Sequence, residues 1–247
     1  MNRTRIVHLI ASSRGGGATH VRTLALGLDP ERYEVTVAMP SDGGHVLASD
    51  FTSRGVAYQS VDIAQGLPVF EIPRIRRLAA GADILHVHGA RAALLGRLAA
   101  IGLRSGRRRL RVAYSIHGLA LPFYPPRRRF VMTQIERLLD HWTDATISVS
   151  QEERRAVIAA GFGRHGMLTV VPNGVNPVRF RRAEGAREAV RGNLGLPGGA
   201  VVIACVCRLH RPRDLGTMLR SFARVAAHNA NSFMFVVGDG PDRENVE

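Results

Sequence analysis

The chain has 247 residues, 45% of them hydrophobic and 22% charged, which is typical of a folded protein and excludes wholesale disorder. Its 34 basic residues, all of them arginines, and its 20 acidic residues give a formal net charge of +14. Such a charge favours polyanionic partners, although a genome that encodes arginine in place of lysine would produce it without a functional cause. The arginine runs are not interleaved with aromatic side chains, so no nucleic-acid partner is predicted.

Hydropathy and cysteine usage indicate the compartment. No apolar run approaches the roughly 18 residues that a membrane span requires, and the N-terminus enters a strand without a signal-peptide pattern. We therefore expect a cytoplasmic protein. Cys205 and Cys207 lie in one predicted strand. We expect them to point to opposite faces as small buried apolar side chains, and not to form a disulfide or a metal pair.

Short β-rich runs alternate with helical runs through most of the chain, which predicts an α/β fold with a parallel sheet. The predicted strands of the first part are 5–10, 33–39, 56–61, 83–89, 110–118, 144–149 and 168–171. The predicted helices begin near residue 18, span 45–54, 70–80, 91–103 and 125–142, and resume after Ser150 as the N-cap. Successive strands end in small or polar residues, where open parallel sheets place their ligands.

A run of three glycines follows the first strand. Gly15, Gly16 and Gly17 lie between that strand and the next helix. Glycines let the backbone approach a ligand, and the free amides of a first helical turn attract anions. The run is neither the GxGxxG fingerprint nor a P-loop. We interpret it as a ligand loop; the alternative is a flexible strand–helix connection.

The helix predicted over 125–142 carries arginines in its first turn, at Arg127, Arg128 and Arg129. Positive charge at a helix N-terminus opposes the helix dipole unless an anion lies nearby. Its apolar stripe is explained first by packing against the domain core. The minority interpretation is contact of these arginines and the loop 121–124 with an anionic membrane surface.

The segment 170–180, which contains Pro172, Asn173, Gly174 and Pro177, separates two stretches of the same alternation. Proline is excluded from helix interiors and central strands, and Asn-Gly tolerates a tight turn. We interpret the segment as an interdomain hinge rather than as an ordinary loop. The predicted domains are 1–171 and 172–247. The second contains strands over 200–207 and 233–237 and amounts to one βαβ unit, so it looks incomplete.

Seven motifs occur in an order that resembles the retaining glycosyltransferases of family 4, which have the GT-B fold. They are Gly15-Gly16-Gly17, His86-Val87-His88, Ser115-Ile116-His117-Gly118, the strand 143–150, Val171-Pro172-Asn173-Gly174-Val175-Asn176 with Phe180, Arg208-Leu209 with Arg213, and Val237-Gly238-Asp239-Gly240-Pro241. The resemblance runs over essentially the whole chain. It implies two Rossmann-like doubly wound domains, of which the second is incomplete here.

The resemblance also implies roles for individual residues. The Gly15–Gly17 loop would lie against the donor phosphate, and Gly238, Asp239 and Gly240 would belong to the nucleotide-sugar site. His117 would touch the donor sugar. Arg208 and Arg213, the latter in the place of a lysine, would neutralise the departing diphosphate without a metal. We expect both arginines to reach one phosphate-sized site that faces the glycine loop across a cleft.

The implied function is transfer of a hexose from a nucleotide-sugar, as substrate rather than cofactor, to a lipid-linked or polysaccharide acceptor. The pathway would be cell-envelope or exopolysaccharide synthesis, and the location cytoplasmic or peripheral at the inner face of the plasma membrane. The family's paired glutamates have no counterpart before the chain ends, so we expect this chain alone to have little or no turnover. A non-catalytic acceptor-binding fragment or accessory subunit and a nucleotide-sugar epimerase are the alternatives. The oligomeric state stays open.

Overall fold

The computed structural model describes residues 3–42, 44–103, 109–163, 167–178, 180–181, 183–210 and 213–246. The chain divides into two compact units, Met1–Val175 and Asn176–Glu247. The division falls within the segment 170–180 that the sequence predicts as a hinge, of which Arg179 lies outside the described residues. Each unit is described by itself.

The first unit is built on a seven-stranded parallel sheet with the order β3-β2-β1-β4-β5-β6-β7. The strands are β1 Thr4–Ile10, β2 Tyr33–Met39, β3 Ala57–Ser60, β4 Ile84–His88, β5 Arg111–Ser115, β6 Ala145–Ser148 and β7 Leu168–Val170. This is the predicted α/β architecture. The strand order reverses between β1 and β4, so the crevice at the carboxyl ends of these two strands is where a doubly wound sheet binds ligands.

Helices cover both faces of this sheet, as a parallel sheet requires. They are α1 Gly15–Gly27, α2 Gly44–Thr52, α3 Ile72–Ala80, α4 Ala90–Ala100, α5 Pro126–Asp140 and α6 Gln151–Ala160. Side chains of β1 alternate between the two faces. Leu9 belongs to the core on one side, together with Leu85 and Val87. Ile10 belongs to the core on the other side, with Val21 of α1.

A buried ion pair joins α4 to α5. The Arg97 Nη2 atom lies 2.7 Å from Glu136 Oε2, and both side chains are at least 95% buried. Arg97 Nε also donates to the Ala93 carbonyl oxygen at 2.9 Å. The guanidinium carbon lies 4.7 Å from the centroid of the Tyr114 ring. The buried cation thus has a carboxylate partner for its charge and a carbonyl acceptor for its Nε–H.

Two sequence-based predictions are corrected in detail. Helix α1 begins at Gly15 and not near Ala18, so the three glycines form its first turn. Cys205 and Cys207 lie on the same side of their segment, with Sγ atoms 3.7 Å apart, because residues two positions apart on a strand share a face. Both are free thiols and only partly buried. Among the described residues, no helix has the length and apolar character to cross a bilayer.

The second unit contains a two-stranded parallel sheet of β8 and β9. Its elements are α7 Ala186–Asn193, β8 Val201–Val206, α8 Leu215–His228 and β9 Ser232–Val237. Apolar side chains of the sheet are exposed to solvent, among them Val206 at 79% and Val237 at 53%. Two strands alone are at best marginally stable in water, so the stability of this unit depends on packing of its helices.

Candidate functional site

A cavity of about 340 Å³ opens at the carboxyl ends of β1, β4 and β5. Its lining includes Ser12, Gly17, His88, Arg91 and His117. Gly17 and His117, which the sequence predicts as site residues, therefore line the same cavity. A larger hollow of about 450 Å³ lies where β2 and β3 begin. None of the predicted site residues lines that hollow, so we take the smaller cavity as the candidate site.

Five histidines converge beside this cavity. His8 on β1 pairs in register with His86 on β4, so both face the same side of the sheet as His88. His8 Nδ1 lies 3.1 Å from His88 Nε2, and His88 Nδ1 lies 3.1 Å from His117 Nε2. His20 of α1 approaches from the helix layer, with its ring centroid 4.6 Å from that of His117. The sequence indicates His86, His88 and His117 only.

Burial keeps these imidazoles uncharged. Desolvation, with a smaller contribution from His20, lowers the pKa of His8 and that of His117 from 6.5 to about 4. Desolvation also lowers the pKa of His86 and His88 well below 6.5, and each is lowered further by the neighbouring histidines. At pH 7 the cluster is therefore a set of neutral hydrogen-bonding groups, because the charged form would lose its hydration.

The two hydrogen bonds from His8 to His88 and from His88 to His117 couple the tautomers of the three rings. A neutral imidazole carries one proton, so both bonds point toward His117 or both point toward His8. His8 Nε2 is buried and has no partner among the described residues. An unpaired buried acceptor costs less than an unpaired buried N–H. In the absence of a ligand His8 therefore donates to His88 and His88 donates to His117, so that His117 carries its own proton on Nδ1.

The backbone at His117 is held in the left-handed region, with φ of 55°. Glu153 of α6 forms a hydrogen bond with the loop that carries His117. Its Oε1 accepts from the Gly118 backbone N–H at 2.6 Å, and its Oε2 accepts from that of Val149 at 2.8 Å. Ser150 caps α6 by accepting from the Glu153 N–H at 3.1 Å. The Ser150 cap thus fixes the start of α6, and the Glu153 carboxylate of its first turn positions the loop that carries His117.

Glu153→Gln should lower the free energy of unfolding by about 1–3 kcal/mol, because one backbone N–H then faces an amide NH₂ instead of a carboxylate oxygen. The matched control is Glu152→Gln on the neighbouring, 82% exposed side chain, which should change it by less than about 0.5 kcal/mol. Urea unfolding compares the two. Equal effects would show that Glu153 does not hold the loop, and hydrogen exchange at Gly118 would locate the loss.

The hinge segment also reaches the histidine cluster. Burial lowers the pKa of His20, and a side-chain interaction with Asn173 partly offsets this lowering. Asn173 belongs to the first compact unit. This contact ties the start of the segment 170–180 to α1, and sequence reasoning did not predict it.

The glycine run begins α1 at an open helix N-terminus. Gly15 has φ of +78°, and an added Cβ at Gly15 or Gly16 would meet no atom within 4 Å. A Cβ at Gly17 would lie 3.3 Å from Ile10 Cδ1. No acidic side chain occupies the first turn. An anion could therefore approach the amides of this turn, and the ligand role of Gly15, Gly16 and Gly17 stays a prediction.

The predicted residues of the second unit lie in the loops after its two strands. Arg208 follows β8 and is exposed, as is Arg213. An added Cβ at Gly238 would lie 1.8 Å from the Cys207 carbonyl oxygen, and one at Gly240 would lie 2.0 Å from that of Leu209. The two glycines thus have a packing role. Asp239 accepts from the Gly240 N–H at 2.8 Å.

The two arginines and the Gly-Asp-Gly turn lie at the carboxyl ends of neighbouring parallel strands, where ligands bind in such sheets. That Arg208 and Arg213 reach one phosphate site opposite the Gly15–Gly17 loop stays a prediction. The nucleotide-sugar role of Gly238, Asp239 and Gly240 stays a prediction too.

Comparison with known proteins identifies relatives of this chain. The family model for Glycosyltransferase Family 4 matches residues 14–179. A 2-deoxystreptamine glucosyltransferase of Streptomyces kanamyceticus is 30% identical over 145 residues, which are 54% of this chain and 36% of that protein. A GDP-mannose-dependent phosphatidylinositol monomannoside mannosyltransferase of Mycobacterium tuberculosis is 28% identical over 173 residues, 70% of this chain and 43% of that protein.

Solved structures show the same fold. Anabaena HepE in complex with UDP and glucose superimposes with a TM-score of 0.77 at 17% identity, over 98% of this chain and 63% of that chain. A putative UDP-N-acetylglucosamine 2-epimerase of Listeria monocytogenes gives a TM-score of 0.61 at 16% identity, over 96% of this chain and 62% of that one. The chain spans less than two thirds of each of these proteins. Because the family model matches well over half of its residues, the chain belongs to Glycosyltransferase Family 4.

Proposed function

We propose that this chain carries the acceptor-side domain and part of the donor-binding domain of a retaining glycosyltransferase. The enzyme would move a hexose from a nucleotide-sugar to a lipid-linked or polysaccharide acceptor. The observation that carries the proposal is the cavity lined by Gly17, His88 and His117 in a chain of this family. It lies at the strand-order reversal, the position of ligand sites in doubly wound sheets.

The proposed chemistry uses one neutral hydrogen-bond donor, His117, and two cations, Arg208 and Arg213. His117 is uncharged at pH 7 and presents Nδ1–H, so it contacts a sugar hydroxyl by hydrogen bonding and not by charge. The leaving diphosphate gathers negative charge, which Arg208 and Arg213 would neutralise with no metal required. Arginine binds phosphate through a planar fork, so Arg213 distributes its charge differently from a lysine at that position.

A nucleotide-sugar donor is supported by the relatives: HepE is solved with UDP and glucose, and the mycobacterial relative is GDP-mannose-dependent. We propose that the acceptor lies in cell-envelope or exopolysaccharide synthesis and that the reaction takes place in the cytoplasm. The epimerase alternative has support from fold similarity alone, since the family match is to glycosyltransferases. The non-catalytic alternative, an acceptor-binding fragment or accessory subunit, predicts donor or acceptor binding without transfer.

A membrane-borne acceptor is supported by the surface around α5. Phe123 and Phe130 are 70% and 66% exposed. The Arg128 guanidinium lies over the Tyr124 ring at 4.2 Å. Exposed aromatic side chains beside arginines suit an anionic lipid surface. If the surface acts in this way, the chain should sediment with phosphatidylglycerol vesicles, and Phe123→Ser with Phe130→Ser should abolish that; binding that survives the double variant would contradict it.

His117→Ala should leave folding intact and lower sugar transfer by about 10- to 100-fold, the effect of one hydrogen bond to substrate. His117→Asn is the second variant, because asparagine tolerates the left-handed backbone better than alanine. Transfer is measured in the complete protein with UDP-glucose and GDP-mannose, and proton NMR of the product gives its anomeric configuration. His141→Ala, exposed and outside the cluster, is the control.

Three results would redirect the proposal. Loss of a cooperative thermal transition in both His117 variants would make His117 a structural residue. Accumulation of an epimerised nucleotide-sugar without glycosylated product would favour the epimerase. Donor binding without transfer in the complete protein would favour an accessory role.

A further inference from the structure

Three histidines beside the cavity offer the ligand set of a transition-metal site. His20, His88 and His117 each present one nitrogen, and the three nitrogens lie within 4.8 Å of one another. In a tetrahedral zinc site the ligand nitrogens lie about 3.3 Å apart, since each is 2.0–2.1 Å from the metal. His88 Nδ1 and His117 Nε2 already lie 3.1 Å apart. The His20 nitrogen, on α1, lies within 4.8 Å of the other two and would move closer to complete the set.

We propose that His20, His88 and His117 bind a divalent transition-metal ion of the Zn²⁺ type, with one coordination position open to the cavity. Imidazole is a preferred ligand of Zn²⁺, and sites with three protein ligands keep a fourth position for water or substrate. The cavity is lined by His88, His117 and Gly17. An ion can therefore enter from solvent, and the open position faces this space.

A second group of three, His8, His86 and His88, also has nitrogens within 4.8 Å of one another. Two features favour the group with His20. His8 is only 1% exposed, so an ion there would be fully desolvated with no route for a fourth ligand. His20 and His117, in contrast, are partly exposed, and His117 lines the cavity.

A histidine of the cluster that does not bind the ion then orients one that does. A metal-bound histidine donates its other ring N–H to an acceptor that fixes its orientation. His8 Nδ1 lies 3.1 Å from His88 Nε2 and serves as that acceptor. Binding through His88 Nδ1 requires the His88 proton on Nε2. Ion binding therefore reverses the hydrogen bond between His8 and His88: His88 Nε2–H now donates to His8 Nδ1, and His8 carries its own proton on Nε2.

The charge of the bound ion determines which chemical class of fourth ligand it favours. Both groups of three consist of histidines alone, and histidine binds a metal as the neutral imidazole, so the bound ion keeps its full charge of 2+. The open position therefore favours an anionic oxygen, such as one from a phosphate. The ion is not needed for the transfer proposed above, and it would compete with the donor sugar for His117.

The test uses the full chain without a polyhistidine tag. Titration with Zn²⁺ in a calorimeter should give one ion per chain, and Co²⁺ should develop the visible bands of tetrahedral cobalt. His20→Ala should weaken binding by at least about 100-fold; His8→Asn, which touches no ligand position, should weaken it by about 10- to 100-fold. His20 is partly exposed on α1, so its variant is expected to fold, which circular dichroism checks.

Two variants serve as matched controls. His228→Ala removes an exposed histidine elsewhere, and Cys205→Ser with Cys207→Ser removes the thiol pair; both should bind Zn²⁺ as the parent chain does. Loss of binding in the thiol variant would place the ion there and overturn the proposal. Binding that survives His20→Ala and is lost in His86→Ala would assign the ion to the inner group and overturn it too. Absence of tetrahedral cobalt bands would also overturn the proposal. None of these readouts depends on sugar transfer.

Discussion

Glu136→Ala is expected to lower the free energy of unfolding by about 3–5 kcal/mol, because it leaves the Arg97 guanidinium buried without its carboxylate. Arg97 is fully buried and Glu136 is 4% exposed. Their 2.7 Å contact joins α4 to α5. The stacking of Arg97 on Tyr114 and its bond to the Ala93 carbonyl do not supply a negative charge. Urea unfolding followed by far-ultraviolet circular dichroism measures the loss.

Two further variants test the cause. Arg97→Met combined with Glu136→Leu removes both charges and should recover most of the lost stability, since apolar pairs replace buried ion pairs at little cost. Glu34→Ala breaks an exposed pair with Arg3, whose side chain is half exposed, and should cost less than about 1 kcal/mol. A Glu136→Ala chain as stable as the Glu34→Ala chain would mean that water reaches Arg97.

Gly240→Ala is expected to disrupt the second unit, with a cost of about 3 kcal/mol, the upper range for overpacking. The added Cβ would lie 2.0 Å from the Leu209 carbonyl oxygen, and this neighbour is backbone that cannot rotate away. The two loops are joined there by hydrogen bonds from Leu209 N–H to the Asp239 oxygen at 3.0 Å and from Asp242 N–H to the Leu209 oxygen at 3.2 Å. The alanine must push these loops apart.

Hydrogen exchange at the Leu209 and Asp242 amides reads this loss locally and does not require the unit to be isolated. Gly198→Ala is the matched control, because an added Cβ there meets no atom within 4 Å. Exchange rates in Gly240→Ala that match those of Gly198→Ala would show that the loops can separate freely. In that case a ligand role would be the better explanation for glycine at position 240.

The alternation of strands and helices is readable from the sequence because both periodicities are local. Element ends depend on weaker preferences, and α1 shows why. Glycine is a poor helix former, so the sequence favours a start near Ala18. The structure begins the helix at Gly15, whose φ of +78° opens the first turn. The cysteine prediction failed for a simpler reason: positions two apart on a strand share a face.

The candidate site was only partly predictable because it depends on long-range register. His88 ends β4 and His117 lies two residues after β5, and motif order singles both out. His8 lies within β1, and its contact with His88 spans 80 positions. His20 is one helical residue among many. Glu153 carried a readable signal, the capping box with Ser150, but its bond to Gly118 crosses 35 positions. Such partners become visible only when the strands are paired.

The thiols and the indole of this chain lie in different units, so energy transfer between labels at these places can follow the distance between the units. Trp142 is the sole tryptophan, and it lies two residues after the end of α5 in the first unit. Cys205 and Cys207, the only cysteines, lie 3.7 Å apart in the second. One dithiol-reactive acceptor dye would therefore sit at a single place, and energy transfer from the indole would report motion of one unit against the other. The same measurement with donor sugars, Zn²⁺ or vesicles added would show whether any of them changes the transfer efficiency, with no residue replaced.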